Sequence, residues 1–401
     1  MIDRRKFIGG VATLAATKLA LADEVKLQVI EAPSEKPAQQ PPLGDPDAKK
    51  LGIAVVGIGH LTMEQILPAF EQSKHARLVG LVSGDRKKAE TVAAHTGIDP
   101  KRIFSYADYD KIANDPAIEA VYIVLPNHLH AEYTIRAAKA GKHVLCEKPM
   151  ATSVKDCEVM IAACKAADRK LMIAYRMQYE PHARFAMKAI REKRFGITKI
   201  IEAHNGQNQG DPNQWRLKKG GGALMDVGIY CLNTARFFLG EEPSWVNATV
   251  YSTPNDPRFK EVDEAVLWQM GFPSGALANL STSMGTHRSQ RMRALGDKGG
   301  WIDMDPAFPY AGIALAVNEV HGKDESRSKI DLGQKQQFAL ELDHFATAVR
   351  ANQQPYTPGE EGMQDIRIIE AIFQSGREGK RVELPRVAKL DAFRGAPPAN
   401  S

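Results

Sequence analysis

The chain has 401 residues, of which 43% are hydrophobic and 25% charged, and its formal net charge is +5. This is the composition of an ordinary globular protein, and the length predicts two domains. Residues 1–22 contribute +3 of the charge and no long basic block follows. The composition therefore gives no reason to expect binding to nucleic acid or to a membrane surface.

Residues 1–22 have the pattern of an export signal. Arg4 and Arg5 precede a mildly apolar run at 9–21. Small residues at 20–22 form a cleavage site. The apolar run is too short to span a membrane. The arginine pair indicates a twin-arginine signal, and the alternative is a general secretory signal with a chance pair of arginines. We expect the twin-arginine export machinery as a partner, the periplasm as the location, and no membrane anchor.

A Pro-rich arm is predicted at residues 23–48. Proline is too frequent in this segment for a regular helix or strand. The segment is therefore either a disordered leader or an extended arm that packs on another surface.

Strand and helix patterns alternate from residue 49 to residue 175. The run at 120–125 is apolar almost without interruption, which is typical of a strand buried on both faces. The alternation indicates a parallel, doubly wound α/β sheet, the Rossmann arrangement. The predicted strands are 53–57, 76–83, 118–125, 143–147 and 171–175, and the predicted helices are 63–72, 86–96, 130–140 and 154–167.

The pattern changes in residues 176–385, where strand-like runs follow one another with turns between them. This favours an α+β C-terminal domain with an open, mostly antiparallel sheet. The predicted strands are 197–204, 245–252, 265–272, 276–283 and 292–296, the predicted helices are 226–238 and 336–352, the polar run at 317–332 is expected to be a loop, and 386–401 is expected to be a tail.

A glycine pattern lies between the first predicted strand and the first predicted helix. Gly57 permits a tight turn, and Gly59 lets the backbone approach a pyrophosphate. We expect these glycines, with His60 and Leu61, to contact a dinucleotide, and an ordinary strand–turn–helix is the alternative. Thr62 stands where a third Gly or Ala is usual, which predicts looser packing of the helix on the strand.

The end of the second predicted strand bears on the choice of nucleotide. NAD sites place an acid there for the ribose diol, whereas this chain has Ser83, followed by Arg86 and Lys88. A hydroxyl group and two cations favour NADP, which carries a 2′-phosphate. Asp85 favours NAD instead, and the alternative for Lys87 and Lys88 is the solvated face of a helix.

Two further strand ends carry polar residues. Leu125, Asn127 and His130 follow the buried strand and are placed to contact the nicotinamide end of the cofactor. Helix capping is an equal alternative for His130. Glu147 and Lys148 end the next strand, just before a proline. Ligands bind outside the carboxyl ends of the strands in an open α/β sheet, so Lys148 is expected to face the nucleotide crevice.

A Gly-rich loop at residues 220–222 precedes the predicted helix at 226–238. Glycine lets the backbone approach a ligand closely. Asp226 and Tyr230 are four positions apart and share one helix face. A carboxylate and a phenol on one face form an acid/base pair, and a neighbouring lysine would let the phenol act nearer neutrality. The alternative for Asp226 is a helix cap.

The four cysteines are predicted to be small buried apolar residues. Cys157 and Cys164 lie on one predicted helix with Cα atoms roughly 10 Å apart, beyond the reach of a disulfide. Neither these two nor Cys146 and Cys231 show metal-ligand spacing, so no metal is expected.

These motifs together resemble the glucose–fructose oxidoreductase branch of the Gfo/Idh/MocA dehydrogenase family over residues 52–382. Glu147-Lys148-Pro149 matches the catalytic-lysine motif of the family. The branch is matched by the segments Leu-Val-Ser-Gly at 81–84, Val-Tyr-Ile-Val-Leu-Pro-Asn at 121–127, Ala-Gly-Lys-His-Val-Leu-Cys-Glu-Lys-Pro-Met-Ala-Thr-Ser-Val at 140–154, Gln-Trp-Arg-Leu at 214–217, Leu-Met-Asp-Val-Gly-Ile-Tyr at 224–230 and Pro-Gly-Glu-Glu-Gly-Met-Gln-Asp at 358–365.

The resemblance implies a Rossmann domain that binds NADP tightly, followed by an open-sheet domain that forms a homo-oligomer, a dimer or a tetramer. It implies a periplasmic enzyme that oxidises an aldose to its lactone and then reduces a second sugar. Residues 23–48 would be an arm over the cofactor or over a neighbouring subunit. By resemblance, Ser83 and Lys88 hold the 2′-phosphate. The other implied cofactor contacts are Glu147, Lys148, Arg176, Trp215 and Arg216, and the residues implied at the reacting carbon are Lys148, Asp226 and Tyr230.

The chain departs from the family at two places, which leaves the choice of sugar open. Many members outside the branch have His where this chain has Tyr230, and the loop at 220–222 is shorter than expected. The alternatives are a simple NADP-dependent aldose 1-dehydrogenase with exchangeable cofactor, an NAD-retaining redox-assisted glycosidase, and a non-catalytic sugar-nucleotide sensor. Ser83 and Lys88 argue against the glycosidase.

Overall fold

The first half of the described chain folds around a six-stranded parallel sheet. The structure is a computed structural model that describes residues 50–387 and 394–398, so the predicted signal at 1–22, the predicted arm at 23–48 and most of the predicted tail lie outside the described residues. The strands are β1 Leu51–Val56, β2 Ala76–Val82, β3 Ile103–Phe104, β4 Ala120–Ile123, β5 His143–Glu147 and β6 Leu171–Ala174, in the order β3-β2-β1-β4-β5-β6. Every pairing is parallel, as the Rossmann prediction requires.

Helices connect these strands. They are α1 Leu67–Gln72, preceded by a π-helical turn at Thr62–Ile66, α2 Arg86–Thr96, α3 His130–Lys139 and α4 Val154–Ala166. All residues of β1 and β4 are buried. Both strands are covered on both faces, which explains why their side chains are apolar on both. The four cysteines are buried and free, as predicted.

The second half of the described chain is built on a nine-stranded sheet. Its strands are β7 Thr198–Asn208, β8 Trp245–Tyr251, β9 Ala265–Gly271, β10 Leu277–Ser283, β11 Gly285–Gly296, β12 Trp301–Met304, β13 Leu315–His321, β14 Asp324–Ile330 and β15 Val382–Glu383, in the order β14-β13-β12-β11-β7-β10-β9-β8-β15. Neighbouring strands are antiparallel, except that β7 and β10 are parallel. The helices are α5 Pro181–Arg191, α6 Ile229–Leu239, α7 Gln337–Arg350 and α8 Gly359–Glu378. The predicted α+β domain is confirmed.

Helix α7 follows the strands of the second half but packs on the first sheet. Its residues Phe338, Leu342 and Phe345 lie in the same core cluster as Ile53 of β1 and Leu145 of β5. The helix therefore joins the second half of the chain to the sheet that carries the glycine loop.

The nine-stranded sheet has one open face. Along β9, Val266 and Trp268 are buried, whereas Leu267 between them is 58% exposed. Leu277 and Tyr251 on the neighbouring strands are 49% and 53% exposed. Side chains alternate between the two faces of a strand, so these three residues share the face that no described helix covers.

The prediction of a loop at 317–332 is wrong. This segment forms a hairpin in which β13 and β14 pair from Leu315 with Ile330 to His321 with Asp324. The segment is polar because β14 is an exposed edge strand. Such a strand pairs with its neighbour through backbone hydrogen bonds and needs no apolar side chains on either face. Strand β12 and helices α5 and α8 have no counterpart among the predicted elements. Over the described residues, no helix is both long enough and apolar enough to cross a membrane.

Candidate active site

The glycine loop after β1 leaves room for a ligand beside its backbone. Gly57 has a φ of +99°, and a Cβ atom there would lie 2.3 Å from the Val124 carbonyl oxygen, so only glycine fits. A Cβ atom on Gly59 would meet no atom of the described residues within 4 Å, and this open space fits the pyrophosphate of a dinucleotide. Leu61 packs into the core of the first sheet. Thr62, at which looser packing of the helix on the strand is predicted, is fully buried and donates to the Gly57 carbonyl oxygen at 2.7 Å.

Lys88 lies across the same loop. Its ammonium group donates to the Ile58 carbonyl oxygen at 2.6 Å. The Asp85 amide donates to the Ser83 hydroxyl at 3.0 Å, and the Asp85 carboxylate caps α2 by accepting from the Lys88 amide at 3.0 Å. Asp85 therefore caps the helix through one carboxylate oxygen, and its carbonyl oxygen accepts from the Ser83 hydroxyl at 3.1 Å.

Two other predicted cofactor contacts are engaged elsewhere. Arg86 donates to the Glu90 carboxylate at 2.7 Å and to the Ile103 carbonyl oxygen at 2.9 Å. His60 is exposed, and its ring lies 2.9 Å from the Glu64 carboxylate one helical turn away. The structure shows no contact between either side chain and Ser83 or Lys88.

The residues after β4 connect the crevice with the second half of the chain. Asn127 donates to the Gly220 carbonyl oxygen at 2.9 Å. His130 is fully buried, and its two ring nitrogens lie 2.8 Å from the carbonyl oxygens of Leu125 and Pro149. Burial lowers the pKa of His130, and the two carbonyl acceptors oppose that shift. The structure does not bring His130 to the crevice surface, and the residue instead joins the end of β4 to the segment after β5.

Glu147 is buried in a polar cluster that the sequence did not indicate. Its carboxylate accepts from the Tyr122 hydroxyl at 2.7 Å and from the Lys148 amide at 3.2 Å. Glu341 of α7 is fully buried nearby, and neither of its carboxyl oxygens forms a hydrogen bond with the described residues. Burial and then the charge of Glu147 raise the pKa of Glu341 well above its usual value, so this environment disfavours its charged form.

Lys148, Asp226 and Tyr230 come together at the carboxyl end of β5. The Lys148 ammonium donates to the Asp226 main-chain carbonyl oxygen at 2.8 Å and lies 3.7 Å from the Asp226 carboxylate. The same nitrogen lies 4.7 Å from the centre of the Tyr230 ring, a cation–π contact. Arg216 donates to the other carboxylate oxygen of Asp226 at 2.8 Å, and its guanidinium lies 4.7 Å from the Trp215 ring. One carboxylate thus holds two cations beside a phenol.

The segment that carries Asp226 begins as a π-helical turn at Leu224–Gly228 and is fixed by Asp263. The Asp263 carboxylate accepts from the Leu224 amide at 2.7 Å. A Cβ atom on Gly222, whose φ is +101°, would lie 2.1 Å from Asp263 Oδ1. Glycine is therefore required at this position by the approach of a carboxylate from the same chain. Burial raises the pKa of Asp263 to about 6.

Arg176, predicted as a cofactor contact, lies against the phenol of Tyr230 and donates to its oxygen at 3.1 Å. Tyr310 and Gln337 complete its surroundings, with the Tyr310 ring centre 4.7 Å from the guanidinium and Gln337 Oε1 accepting from it at 2.6 Å. No spacing in the sequence indicated Tyr310 or Gln337, because each lies more than a hundred positions from Arg176.

The loop that carries Gly57 and Gly59, called the glycine cradle below, lies on the same sheet edge as a lysine, a carboxylate and a phenol. This arrangement is expected of a nicotinamide-dependent oxidoreductase. The chain belongs to the Gfo/Idh/MocA oxidoreductase family. Residues 51–175 match its NAD-binding Rossmann fold, and residues 187–384 match its C-terminal alpha/beta domain. The family and the oxidoreductase class predicted from the sequence are confirmed.

Individual relatives agree with this assignment. The chain is 35% identical over 342 residues to D-xylose 1-dehydrogenase (NADP(+)) of Haloarcula marismortui, covering 82% of this chain and 92% of that protein. It is 29% identical over 332 residues to D-xylose 1-dehydrogenase (NADP(+)) 2 of Haloferax volcanii, covering 82% of this chain and 98% of that protein. Among solved structures, it is 42% identical to an aldose-aldose oxidoreductase from Caulobacter crescentus complexed with glycerol, with a TM-score of 0.80 and coverage of 84% of this chain and 100% of that one.

Proposed function

We propose that the protein is an NADP-dependent oxidoreductase that oxidises an aldose to its lactone and reduces a second sugar, a ketose or an aldose, while the cofactor stays tightly bound. The observation that carries the proposal is the Lys148 ammonium, which Asp226 holds 4.7 Å from the Tyr230 ring on the sheet edge that bears the glycine cradle. Similarity to an aldose-aldose oxidoreductase and to a D-xylose 1-dehydrogenase supports sugars as substrates.

Ser83 and Lys88 support NADP over NAD. The Asp85 carboxylate, which would favour an unphosphorylated ribose, accepts from the Lys88 amide at 3.0 Å. The Lys88 ammonium lies 2.6 Å from the Ile58 carbonyl oxygen, within the cradle itself. A phosphate beside this ammonium forms an ion pair that an uncharged ribose hydroxyl does not.

The residues of the chain supply proton transfer and orientation. Bound NADP would supply hydride transfer, and the glycine loop, Ser83 and Lys88 would hold it. Tyr230 takes the proton of the anomeric hydroxyl, because its ring lies beside the two cations of Lys148 and Arg176. An ammonium group has three donors and the Asp226 carbonyl uses one of them, so Lys148 also binds the sugar oxygen. Loss of the hydroxyl proton and of hydride from C1 leaves the lactone.

We also propose the periplasm as the location and a homo-oligomer, a dimer or a tetramer, as the working form. The export signal predicted at residues 1–22 supports the location. The twin-arginine route carries proteins that have already folded, which suits an enzyme that takes up its cofactor in the cytoplasm. On the open sheet face, Leu267 is 58% exposed and Leu277 is 49% exposed, which supports association through that face. The predicted arm at 23–48 would then cover the cofactor or a neighbouring subunit.

Incubation of the purified protein with two sugars and no added nucleotide tests the proposal. An aldose alone should switch on the fluorescence of the copurified nucleotide in its reduced form. Fructose or a second aldose should quench that fluorescence, with a lactone and a reduced sugar as products. Tyr230→Phe should bind the nucleotide and show neither change.

Two outcomes would contradict the proposal. If dialysis removes the nucleotide and turnover then needs added NADP, the protein is a simple NADP-dependent aldose 1-dehydrogenase, the alternative that the D-xylose 1-dehydrogenase relatives favour. If no nucleotide copurifies and none binds, the cofactor assignment itself is wrong.

A further inference from the structure

Arg176 is a cation buried at the centre of the site. It follows β6, and its guanidinium lies 4.7 Å from the ring centres of both Tyr230 and Tyr310. The residue is only 3% exposed. A guanidinium in such a place needs acceptors from the protein, because burying an unpaired charge is costly and arginine does not lose its proton.

Each of the three guanidinium nitrogens of Arg176 donates within the chain. Nε donates to the Tyr230 hydroxyl oxygen at 3.1 Å. Nη1 donates to Gln337 Oε1 at 2.6 Å and to the Pro309 carbonyl oxygen at 3.3 Å. Nη2 donates to the Phe308 carbonyl oxygen at 2.6 Å. Since a guanidinium has five N–H donors, these bonds leave too few for the two-pronged contact by which arginine holds a phosphate.

Gln337 fixes the direction in which Arg176 points. Its side-chain oxygen accepts from Arg176 at 2.6 Å, and its side-chain nitrogen donates to the Tyr310 carbonyl oxygen at 2.6 Å. With both ends of the amide engaged, the glutamine cannot turn over without losing two bonds. The first turn of α7 therefore aims the guanidinium at the phenol.

This contact decides where the proton of Tyr230 points. A phenol oxygen carries one O–H donor and lone pairs that accept. Arginine can only donate, so Arg176 occupies a lone pair of Tyr230 and the phenol O–H is left for another acceptor. When that proton leaves, the same N–H donates to an anionic oxygen, and the guanidinium and the phenolate form a hydrogen-bonded ion pair.

We propose that Arg176 is a positioning residue for Tyr230, which orients the phenol and stabilises its phenolate, rather than the nucleotide ligand that the family resemblance implies. The inference rests on the proposed function, in which Tyr230 is the base. It assigns the two cations different tasks, because Lys148 contacts the sugar oxygen whereas Arg176 acts only through Tyr230.

Arg176→Met and Arg176→Lys test the inference with two readouts that need no turnover. Titration with NADP, followed by calorimetry, measures nucleotide affinity. The ultraviolet difference between each protein and the same protein carrying Tyr230→Phe measures the Tyr230 phenolate as a function of pH. We expect unchanged NADP affinity in both variants. In Arg176→Met less phenolate should form at a given pH than in the native protein, because the opposite charge beside it is lost, with Arg176→Lys in between.

Gln337→Met is the variant to use if Arg176→Met does not fold. It keeps the guanidinium charge and removes the group that aims it, so the phenolate should again appear at higher pH. In sugar turnover, the pH profile of kcat should move the same way while KM for the sugar stays constant. An unchanged phenolate titration together with a large loss of NADP affinity overturns the inference and makes Arg176 a cofactor ligand. If the native protein turns over no sugar, the proposed function fails, but affinity and phenolate absorbance still decide the role of Arg176.

Discussion

Lys148 and Asp226 are joined twice, through a 2.8 Å hydrogen bond from the ammonium to the main-chain carbonyl and a 3.7 Å approach to the carboxylate. The carbonyl belongs to the π-helical turn, so the backbone of the second half sets the place of a side chain from the first sheet. The Lys148 side chain is 12% exposed, which keeps screening by solvent low. This contact aligns the glycine cradle with the helix that carries Tyr230.

Lys148→Met should abolish both half-reactions and leave the nucleotide bound. Methionine keeps most of the side-chain length but removes the charge beside Tyr230, so we expect kcat to fall by about 10³-fold. Stopped-flow fluorescence of the bound nucleotide follows each half-reaction separately. Lys155→Met, at an exposed lysine of α4, is the control and should be fully active. Loss of one half-reaction alone would mean that the role of Lys148 is wrongly assigned.

Lys88→Gln should weaken NADP binding and leave NAD binding unchanged. One charge-assisted hydrogen bond to the 2′-phosphate is lost, which corresponds to about 10-fold to 100-fold in affinity. Titration of nucleotide-free protein with each nucleotide measures the effect, and Lys87→Gln, the exposed neighbour, is the control. Equal weakening of both nucleotides would show instead that Lys88 acts through its bond to Ile58, on the shape of the loop.

Asp263 should make stability depend on pH. Burial raises the pKa of Asp263 from its usual 3.8 to about 6. A carboxyl group whose pKa is higher in the folded protein stabilises most below its unfolded pKa, and that contribution is lost as pH rises through the folded value. Asp263→Asn removes the dependence. Between about pH 4 and pH 7, the free energy of unfolding of the native chain should therefore fall by about 2–3 kcal/mol relative to the variant.

Urea unfolding at a series of pH values measures this difference. Asp324→Asn, at an exposed aspartate of β14, is the matched control and should keep a nearly constant difference from the native chain. The same constancy in Asp263→Asn would show that the Asp263 carboxyl titrates as it does in the unfolded chain.

Leu267→Arg should dissociate the proposed oligomer. The substitution puts a charge at the middle of the open sheet face, where association would otherwise bury an apolar side chain. Sedimentation velocity compares the masses of the two proteins in solution. Val159→Arg, at a residue of α4 that is 41% exposed, controls for the added charge. A native chain that sediments as a monomer contradicts the proposed assembly, and an unaffected oligomer in Leu267→Arg places the interface elsewhere.

The first sheet could be predicted well because its strands are apolar on both faces. The strand predicted at 143–147 has the bounds of β5, since the apolar run is bounded by Gly141 and by the proline that ends it. The hairpin at 317–332 could not be predicted, because β14 lies exposed at the sheet edge and lacks the alternation of apolar and polar residues that indicates a strand. The periodic spacing of apolar residues arises from burial of one face, so a strand that is exposed on both faces does not show it.

The sequence by itself determined that Gly57, Gly59 and Lys148 would lie along one edge of a sheet, because the carboxyl ends of parallel strands share an edge. Only the tertiary structure decided which groups face Lys148 and Tyr230. Arg176 and Gln337 form a hydrogen bond although they are 161 positions apart in the sequence, and Lys148 and Asp226 form one although they are 78 positions apart. No local pattern encodes such pairs, since they depend on how α7 and the π-helical turn pack against the first sheet. Glu341 on α7 is likewise fully buried, and His130 is buried between the carbonyl oxygens of Leu125 and Pro149, although the neighbours of these two residues in the sequence do not distinguish them from solvent-exposed residues.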